Sequence, residues 1–181
     1  MSARPLIAQV AAVLDGCGAR YALIGAGALA AHGIARSTFD LDVFTNEAAV
    51  LGNEVWASLS AGGRVRITVR TGDADDPLRG VVRLEADGER DVDVVVGRSA
   101  WQSEAVERAK PLLIGGISLP VVTPPDLVLF KLYAGGAQDS WDIEQLLAGG
   151  DRQALIGEVE SRLAALPDPA RRLWHRLVHG I

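Results

Sequence analysis

The spacing of apolar residues changes once along the 181-residue chain, near Thr123. Upstream of this position, short segments alternate apolar and polar residues with a period of two, which is typical of β-strands buried on one face. The predicted strands are 21–25, 38–45, 62–70, 80–87 and 90–97, followed by a hairpin over 112–122. Downstream, apolar residues recur at helical spacing. The pattern therefore predicts an α+β fold, with a mixed or antiparallel sheet flanked by helices and a helical segment after it.

Helices are also predicted between the strands of the front part. Their ranges are 5–19, 27–34, 46–61 and 100–109. Asn46 is expected to cap the third of these helices. Turns are expected at Asp87-Gly88 and at Gly115-Gly116, where glycine permits a positive φ. We predict two units, with the sheet in residues 1–122 and a helical subdomain, residues 123–181, packed on it.

Composition narrows the function classes only slightly. The hydrophobic fraction of 49% is enough for a packed core. No run approaches the roughly 20 apolar residues of a membrane helix. The first segment has the pattern of an amphipathic helix rather than a signal peptide, so a cytoplasmic location without membrane contact is expected. One cysteine and three histidines argue against a zinc site, and a net charge of −5 argues weakly against a dedicated nucleic-acid-binding scaffold.

Two pairs of aspartates lie in predicted strands. Residues i and i+2 of a strand share a face, so Asp40 and Asp42 in the segment DLDV point together, away from Leu41. Asp91 and Asp93 alternate in the same way in the segment DVDVVV. If the two strands are neighbours, their carboxylates converge on one surface, which is costly by itself and favourable around Mg²⁺. The alternative for each pair is the solvated outer face of an amphipathic strand.

A glycine-containing turn precedes the first acidic strand. The segment LIGAGALAAHG places a strand, a turn and a helix N-terminus just upstream of it. Gly25 and Gly27 allow the backbone to approach a phosphate closely, and a helix N-terminus attracts anions. Tight packing is the alternative explanation for two glycines at this spacing.

Together these segments resemble the nucleotidyltransferase superfamily with the polymerase-β-type palm, and within it the AbiEii/AbiGii-type and MenT-type toxin group. The resemblance rests on the segments IGAGALAAHGIARSTFDLDVF and PPDLVLFKLYAGGAQDSWDIEQLL, and it covers residues 21 to about 148. It implies a Mg²⁺-dependent enzyme that transfers a nucleoside monophosphate from a nucleoside triphosphate (NTP) to an acceptor hydroxyl. The implied acceptor is tRNA or a protein, and the implied partner is a cognate antitoxin.

The resemblance also implies roles for individual residues. The carboxylates that would hold two Mg²⁺ ions are Asp40, Asp42 and Asp93, with Asp91 in reserve for the third. The catalytic set adds Lys131 to these. The expected nucleotide-binding residues are Gly25, Ala26, Arg36, Thr38, Lys131, Asp139 and Asp142.

The chain departs from the family pattern at two positions. Ala26 removes a serine hydroxyl from the phosphate-binding turn, and Gln138 stands where the family often has Arg or Lys. Both weaken the expectation of full activity more than that of the fold. Simpler explanations exist for three of the implied residues: Lys131 could extend from an apolar helix into water, Asp139 could be an N-cap, and Asp142 could lie on a helix surface.

Two other functions stay open at this point. A small-molecule nucleotidyltransferase, such as one that modifies an antibiotic, would suit an acidic cleft and a cationic substrate. A homologue without turnover would bind a nucleotide or a partner protein. The last helix, with the segment ARRLWHRLVHG, has basic residues on one side and apolar residues on the other. That basic side could contact an RNA backbone or simply face solvent.

Overall fold

The computed structural model describes residues 4–35 and 40–180, and its centre is one mixed β-sheet. The strands are β1 (Tyr21–Ile24), β2 (Asp40–Thr45), β3 (Val65–Thr71), β4 (Gly80–Ala86), β5 (Asp91–Val96), β6 (Lys110–Ile114) and β7 (Ile117–Val121). Their order across the sheet is β3-β4-β5-β2-β1-β7-β6. β2 runs parallel to β5 and β1 runs parallel to β7, whereas the other neighbouring strands are antiparallel. The predicted mixed sheet is therefore confirmed.

Helices flank the sheet and make up the C-terminal part of the chain. They are α1 (Leu6–Gly16), α2 (Gly25–Ala31), α3 (Ala57–Ser60), α4 (Ala100–Glu107), α5 (Pro124–Ala134), α6 (Ala137–Ala148), α7 (Arg152–Glu160) and α8 (Asp168–His179). Within the described residues, none of them has both the length and the apolarity needed to cross a bilayer. The helices after Thr123 agree with the helical spacing of apolar residues in that part of the sequence. The division of the chain into two units stays a prediction.

The two faces of β2 have different surroundings. Leu41 and Val43 point into the apolar core and are at most 5% exposed. The other face of β2 carries Asp40, Asp42 and Phe44. The ring of Phe44 packs against Phe130 of α5, with the ring centroids 4.7 Å apart. This aromatic contact fixes α5 over one end of the acidic face and leaves the two aspartates at the margin of the covered surface.

The segment 46–61 is not the single helix predicted from its spacing. It forms two short 3₁₀ turns before α3. Gly52, between the two turns, has an extended backbone (φ −76°, ψ 131°), which interrupts helical hydrogen bonding. Asn46 is not a helix cap either, because the residue that precedes the first turn is Glu47. The side-chain amide of Asn46 instead donates to the carbonyl oxygen of Ser99, 2.9 Å away. Asn46 therefore joins the end of β2 to the start of α4.

A buried carboxylate ties three parts of the chain together. Asp126, in the first turn of α5, is fully buried. It accepts two hydrogen bonds from Arg108 at the end of α4, at 3.1 and 2.8 Å, and one from the Thr123 hydroxyl at 2.7 Å. Arg162, which follows α7, lies 3.4 Å from the same carboxylate. The network therefore links α4, the start of α5 and the end of α7.

We expect the substitution Asp126→Asn to destabilise the fold. The amide keeps the size of the side chain but removes the charge that balances Arg108 and Arg162, and breaking a buried pair in this way typically costs about 3 kcal/mol. Urea unfolding followed by circular dichroism measures the change in the free energy of unfolding. Asp168→Asn is the control, because that exposed carboxylate pairs only at the surface with Arg171 and should matter little. Equally small effects of both substitutions would contradict the anchoring role of Asp126.

Candidate functional site

Parallel pairing of β2 with β5 places the four predicted aspartates side by side. Asp40 lies opposite Asp91 and Asp42 lies opposite Asp93, in one continuous register. Neighbouring strands are about 4.8 Å apart, and residues at i and i+2 share a face, so the four side chains leave the sheet together. The structure thus brings the carboxylates together as the strand pattern predicted, and it groups Asp93 with Asp42. Their roles as metal ligands stay a prediction.

Arg83 of β4 lies among these carboxylates, although the sequence pattern had not singled it out. It stands opposite Asp93 in the antiparallel pairing of β4 with β5. Its Nη1 is 2.9 Å from an Asp93 oxygen, and its Nη2 is 2.7 Å from Asp91 and 3.7 Å from Asp40. One guanidinium therefore contacts three carboxylates on two strands. An arginine in an alternating strand was the only signal available, because its partners depend on the register of the hairpin.

Asp42 lies directly against the backbone of Gly25, the first residue of α2. Gly25 has a φ of +62°, and a Cβ at this position would lie 2.3 Å from Asp42 Oδ2, so only glycine fits here. Burial raises the pKa of the Asp42 carboxyl from 3.8 to about 6, and the charges of Asp93 and Asp40 act in the same direction. Ala26 follows and is buried. The turn is therefore shaped around the Asp42 carboxylate, and its contact with a phosphate stays a prediction.

Asp93 is the other sheltered carboxylate of the group. Burial raises its pKa, an effect that the nearby Arg83 opposes. Among the residues that the structure describes, Asp93 Oδ1 is buried without a hydrogen-bond partner, while Oδ2 accepts from Arg83. Carboxylate oxygens are the ligands that Mg²⁺ prefers, so an orphaned oxygen beside Asp42 fits the predicted metal site by its chemistry. No three His, Cys, Asp or Glu side chains in residues 4–35 and 40–180 already have the spacing of a metal site.

Lys131 of α5 forms ion pairs with both predicted acidic residues of α6. Its Nζ is 3.0 Å from Asp139 and 2.6 Å from Asp142. Lys131 is only 5% exposed and Asp142 is fully buried, so Lys131 does not extend into water and Asp142 is not a surface residue. Asp139 is the third residue of α6 and not its N-cap; its carboxylate also accepts a hydrogen bond from the backbone N–H of the N-cap residue Gly136, at 3.0 Å. The two carboxylates hold the lysine in one position.

A cleft of about 830 Å³ opens beside these side chains. Its polar lining residues include Gly25, Asp42, Lys131 and Asp139. The apolar lining comes from the β3–β4 loop, α5 and α8 and includes Leu78, Phe130, Tyr133, Pro167 and Leu173. Clefts of this volume and mixed lining are typical of sites for small ligands and cofactors.

The helix α8 forms one wall of the cleft and is amphipathic, as predicted. Trp174 is fully buried, whereas Arg172, Arg176 and the two histidines of this helix are exposed. Arg176 also lines the cleft. The basic side of α8 therefore reaches the cleft that contains Asp42.

Two of the residues expected to bind nucleotide lie outside the part of the chain that the structure describes. They are Arg36 and Thr38.

Several solved structures share this fold, and they are nucleotidyltransferases. ANT(2'')-Ia in complex with adenylyl-2''-tobramycin superposes with a TM-score of 0.59 at 12% identity, over 88% of this chain and 95% of that chain. A Thermotoga maritima protein classed as a nucleotidyltransferase gives 0.54 at 15% identity, over 80% and 92%. The nucleotidyltransferase toxin MenT4 of Mycobacterium tuberculosis gives 0.50 at 16% identity, over 89% of this chain and 58% of that chain. No protein-family model matches the chain, and no curated protein sequence is similar enough to match.

The agreement with these structures is one of fold, because the identities are low. It confirms the nucleotidyltransferase architecture that the two sequence segments resemble. The matched regions extend over 88–89% of the chain, so they include at least part of the helical tail as well as the sheet.

We expect Asp42→Asn to stabilise the folded protein at neutral pH. Folding raises the pKa of Asp42 from 3.8 to about 6, so the ionised carboxylate weakens the fold above this pKa, by up to about 3 kcal/mol. As the pH falls towards about 4, the folded protein is already protonated at Asp42 and the penalty disappears. Thermal unfolding between pH 4.5 and 8 should show a gain over wild type that grows with pH.

Glu144→Gln is the matched control for this experiment. Glu144 is an exposed acid on α6, so its substitution should leave the unfolding temperature unchanged across the same pH range. An Asp42→Asn protein less stable than wild type at pH 8 would contradict the prediction and would identify the carboxylate as a structural hydrogen-bond acceptor.

Proposed function

We propose that this protein, whose fold is that of the nucleotidyltransferases, is a Mg²⁺-dependent enzyme that transfers a nucleoside monophosphate from an NTP to an acceptor hydroxyl. The observation that carries the proposal is the pairing of Asp42 with Asp93 beside a cleft that Lys131 also lines. A solvated strand face would not combine partly buried carboxylates, a buried lysine and a concave surface. The proposed cellular location is the cytoplasm.

The proposed metal ligands are Asp40, Asp42 and Asp93. Their oxygens suit Mg²⁺, and two ions are expected because a two-metal site stabilises both the attacking and the leaving oxygen. When bound there, Mg²⁺ supplies activation of the acceptor hydroxyl and neutralisation of charge on the leaving pyrophosphate. Asp91 stays in reserve, because the register places it opposite Asp40, and it is paired with Arg83.

The proposed reaction forms one phosphorus–oxygen bond and breaks another. The acceptor hydroxyl gives its proton to solvent, and its oxygen attacks the α-phosphorus in line. The bond from that phosphorus to the oxygen bridging it to the β-phosphorus breaks, which releases pyrophosphate. Lys131 would face the triphosphate oxygens from the cleft wall. Asp139 and Asp142 act through Lys131, because they hold its side chain in place before the nucleotide arrives. Gly25 and Ala26 form the turn beside Asp42, where the phosphates are expected.

Two acceptor classes are supported by different observations. MenT4 is a nucleotidyltransferase toxin, and the basic, exposed side of α8 beside the cleft would suit a tRNA acceptor, with a cognate antitoxin as partner. ANT(2'')-Ia is an antibiotic-resistance factor, and the acidic sheet face with a net charge of −5 would suit a cationic small molecule as the second candidate. The departures from the family pattern at Ala26 and Gln138 support a third hypothesis, in which the protein binds a nucleotide but does not transfer it.

The activity is tested with purified protein, MgCl₂ and each α-labelled NTP in turn, together with total tRNA, a protein extract or tobramycin. We expect label to pass from one NTP to one acceptor class. Asp42→Asn and Asp93→Asn should each lower the rate by at least about a hundredfold, because each removes charge stabilisation at the reacting phosphate. Glu144→Gln should transfer label at the wild-type rate.

The acceptor that receives label distinguishes the proposed functions. Label on tRNA or on a protein supports the toxin-like enzyme, and label on tobramycin supports the antibiotic-modifying enzyme. Calorimetry of NTP binding with and without Mg²⁺ is run in parallel. NTP binding without transfer to any acceptor, or transfer that survives in both aspartate variants, would overturn the proposed activity.

A further inference from the structure

We propose that Arg83 is a built-in counter-ion of the carboxylate cluster, and that binding of a divalent cation displaces its guanidinium from Asp93. The inference rests on the proposed function in one respect, that the cluster binds a divalent cation. It adds a residue on β4 that the sequence pattern did not single out. It also assigns a role to Asp91, which would retain Arg83 beside the site while Asp93 changes partner.

The geometry of Arg83 carries the first step. Its two terminal nitrogens bind different carboxylates, with Nη1 at 2.9 Å from Asp93 and Nη2 at 2.7 Å from Asp91. Because the two contacts use separate nitrogens, the guanidinium can release Asp93 and keep Asp91. Asp93 is the carboxylate paired in register with Asp42, so a metal ion shared with Asp42 would compete with Arg83 for the negative charge of the Asp93 carboxylate.

Exposure carries the second step. The Arg83 side chain is 36% exposed, and ion pairs at this exposure are weak enough to exchange partners. Asp93 is more sheltered, at 18%, and its Oδ1 has no hydrogen-bond partner among the described residues. The sheltered carboxylate is therefore fixed in place, while the cation that contacts it has room to move.

A second arginine on the same sheet shows what an ordinary surface pair looks like. Arg66 of β3 binds Glu85 of β4 through two parallel hydrogen bonds, at 2.9 and 3.0 Å, so one cation matches one carboxylate. Arg83, by contrast, divides its contacts between Asp93 and Asp91. A divalent ion can therefore take the place of Arg83 at Asp93 while Asp91 keeps the arginine, which the Arg66 pair does not allow.

Competition between Arg83 and a metal ion would couple the stability of the protein to its metal affinity. If Arg83 and the metal ion compete for Asp93, the stability that Arg83 contributes without metal is lost when metal binds. A variant that lacks the guanidinium should therefore lose more stability in a chelator than with saturating metal, and it should bind metal more tightly than wild type. A purely structural arginine would contribute the same stability in both conditions.

The experiment compares wild type, Arg83→Met and the control Arg66→Met, using Mn²⁺ without nucleotide as the probe. Thermal unfolding is measured in EDTA and in saturating MnCl₂, and Mn²⁺ affinity is measured by calorimetry. We expect Arg83→Met to lower the unfolding temperature more in EDTA than in MnCl₂, and to raise Mn²⁺ affinity by at least about tenfold. Arg66→Met removes the same charge from a neighbouring strand and should change Mn²⁺ affinity by less than about twofold. Asp42→Asn should weaken Mn²⁺ binding in every background, which locates the ion.

Three results would overturn the inference. They are an equal loss of stability with and without Mn²⁺, an equal gain of affinity in both arginine variants, and the absence of Mn²⁺ binding in wild type and Arg83→Met alike. Arg83→Lys is the second variant if Arg83→Met does not fold. It keeps the charge but not the two separate contacts, and its Mn²⁺ affinity should lie above that of wild type. NTP transfer is measured separately, so a protein that binds Mn²⁺ as expected but transfers nothing would overturn the proposed function alone.

Discussion

The parallel pairing of β2 with β5 is the constraint on which the rest of the site depends. The core fixes its register, because Leu41 and Val43 of one strand and Val92 and Val94 of the other must all face inward. A slip of one residue would turn every aspartate of the shifted strand into that core. The packing energy of apolar side chains therefore forces like charges to stand side by side on the opposite face. The acidic cluster is held together by the core beneath it, in spite of its own repulsion.

Two cations, Arg83 and Lys131, lie near the acidic cluster on different sides. Arg83 comes from within the sheet and is partly exposed, whereas Lys131 comes from α5 and is buried. The position of Lys131 follows from its neighbour Phe130, whose ring packs on Phe44 of the acidic strand. Asp142 and Asp139 already satisfy its charge. The helical tail thus holds Lys131 in a fixed position beside the cleft, and Arg83 is the cation that contacts the acidic cluster directly.

Local patterns predicted the strands, the tail helices and the shared face of each aspartate pair, because these depend on side-chain period alone. The single helix predicted over 46–61 was wrong because Gly52 adopts an extended backbone within an otherwise helical spacing. Arg83 was missed for a different reason. A two-residue Asp87-Gly88 turn would have put it opposite Val92, but only Gly88 of this pair has positive φ, and the observed register puts Arg83 opposite Asp93. The burial of Asp142 beside Lys131 depends on packing between helices, which no local period encodes.

The charges on this face favour a cation as an additional partner. Arg83 contacts Asp40, Asp91 and Asp93, and the lysine beside the cleft already pairs with its own two carboxylates. Burial, and then the charges of Asp93 and Asp40, raise the pKa of Asp42 to about 6, so a proton relieves part of the repulsion only below about that pH. A divalent cation would relieve the rest more effectively, because it carries two charges and can be shared by oxygens of several carboxylates, whereas a proton neutralises one carboxylate. The same repulsion that makes the face costly to fold therefore makes it a strong candidate to bind Mg²⁺.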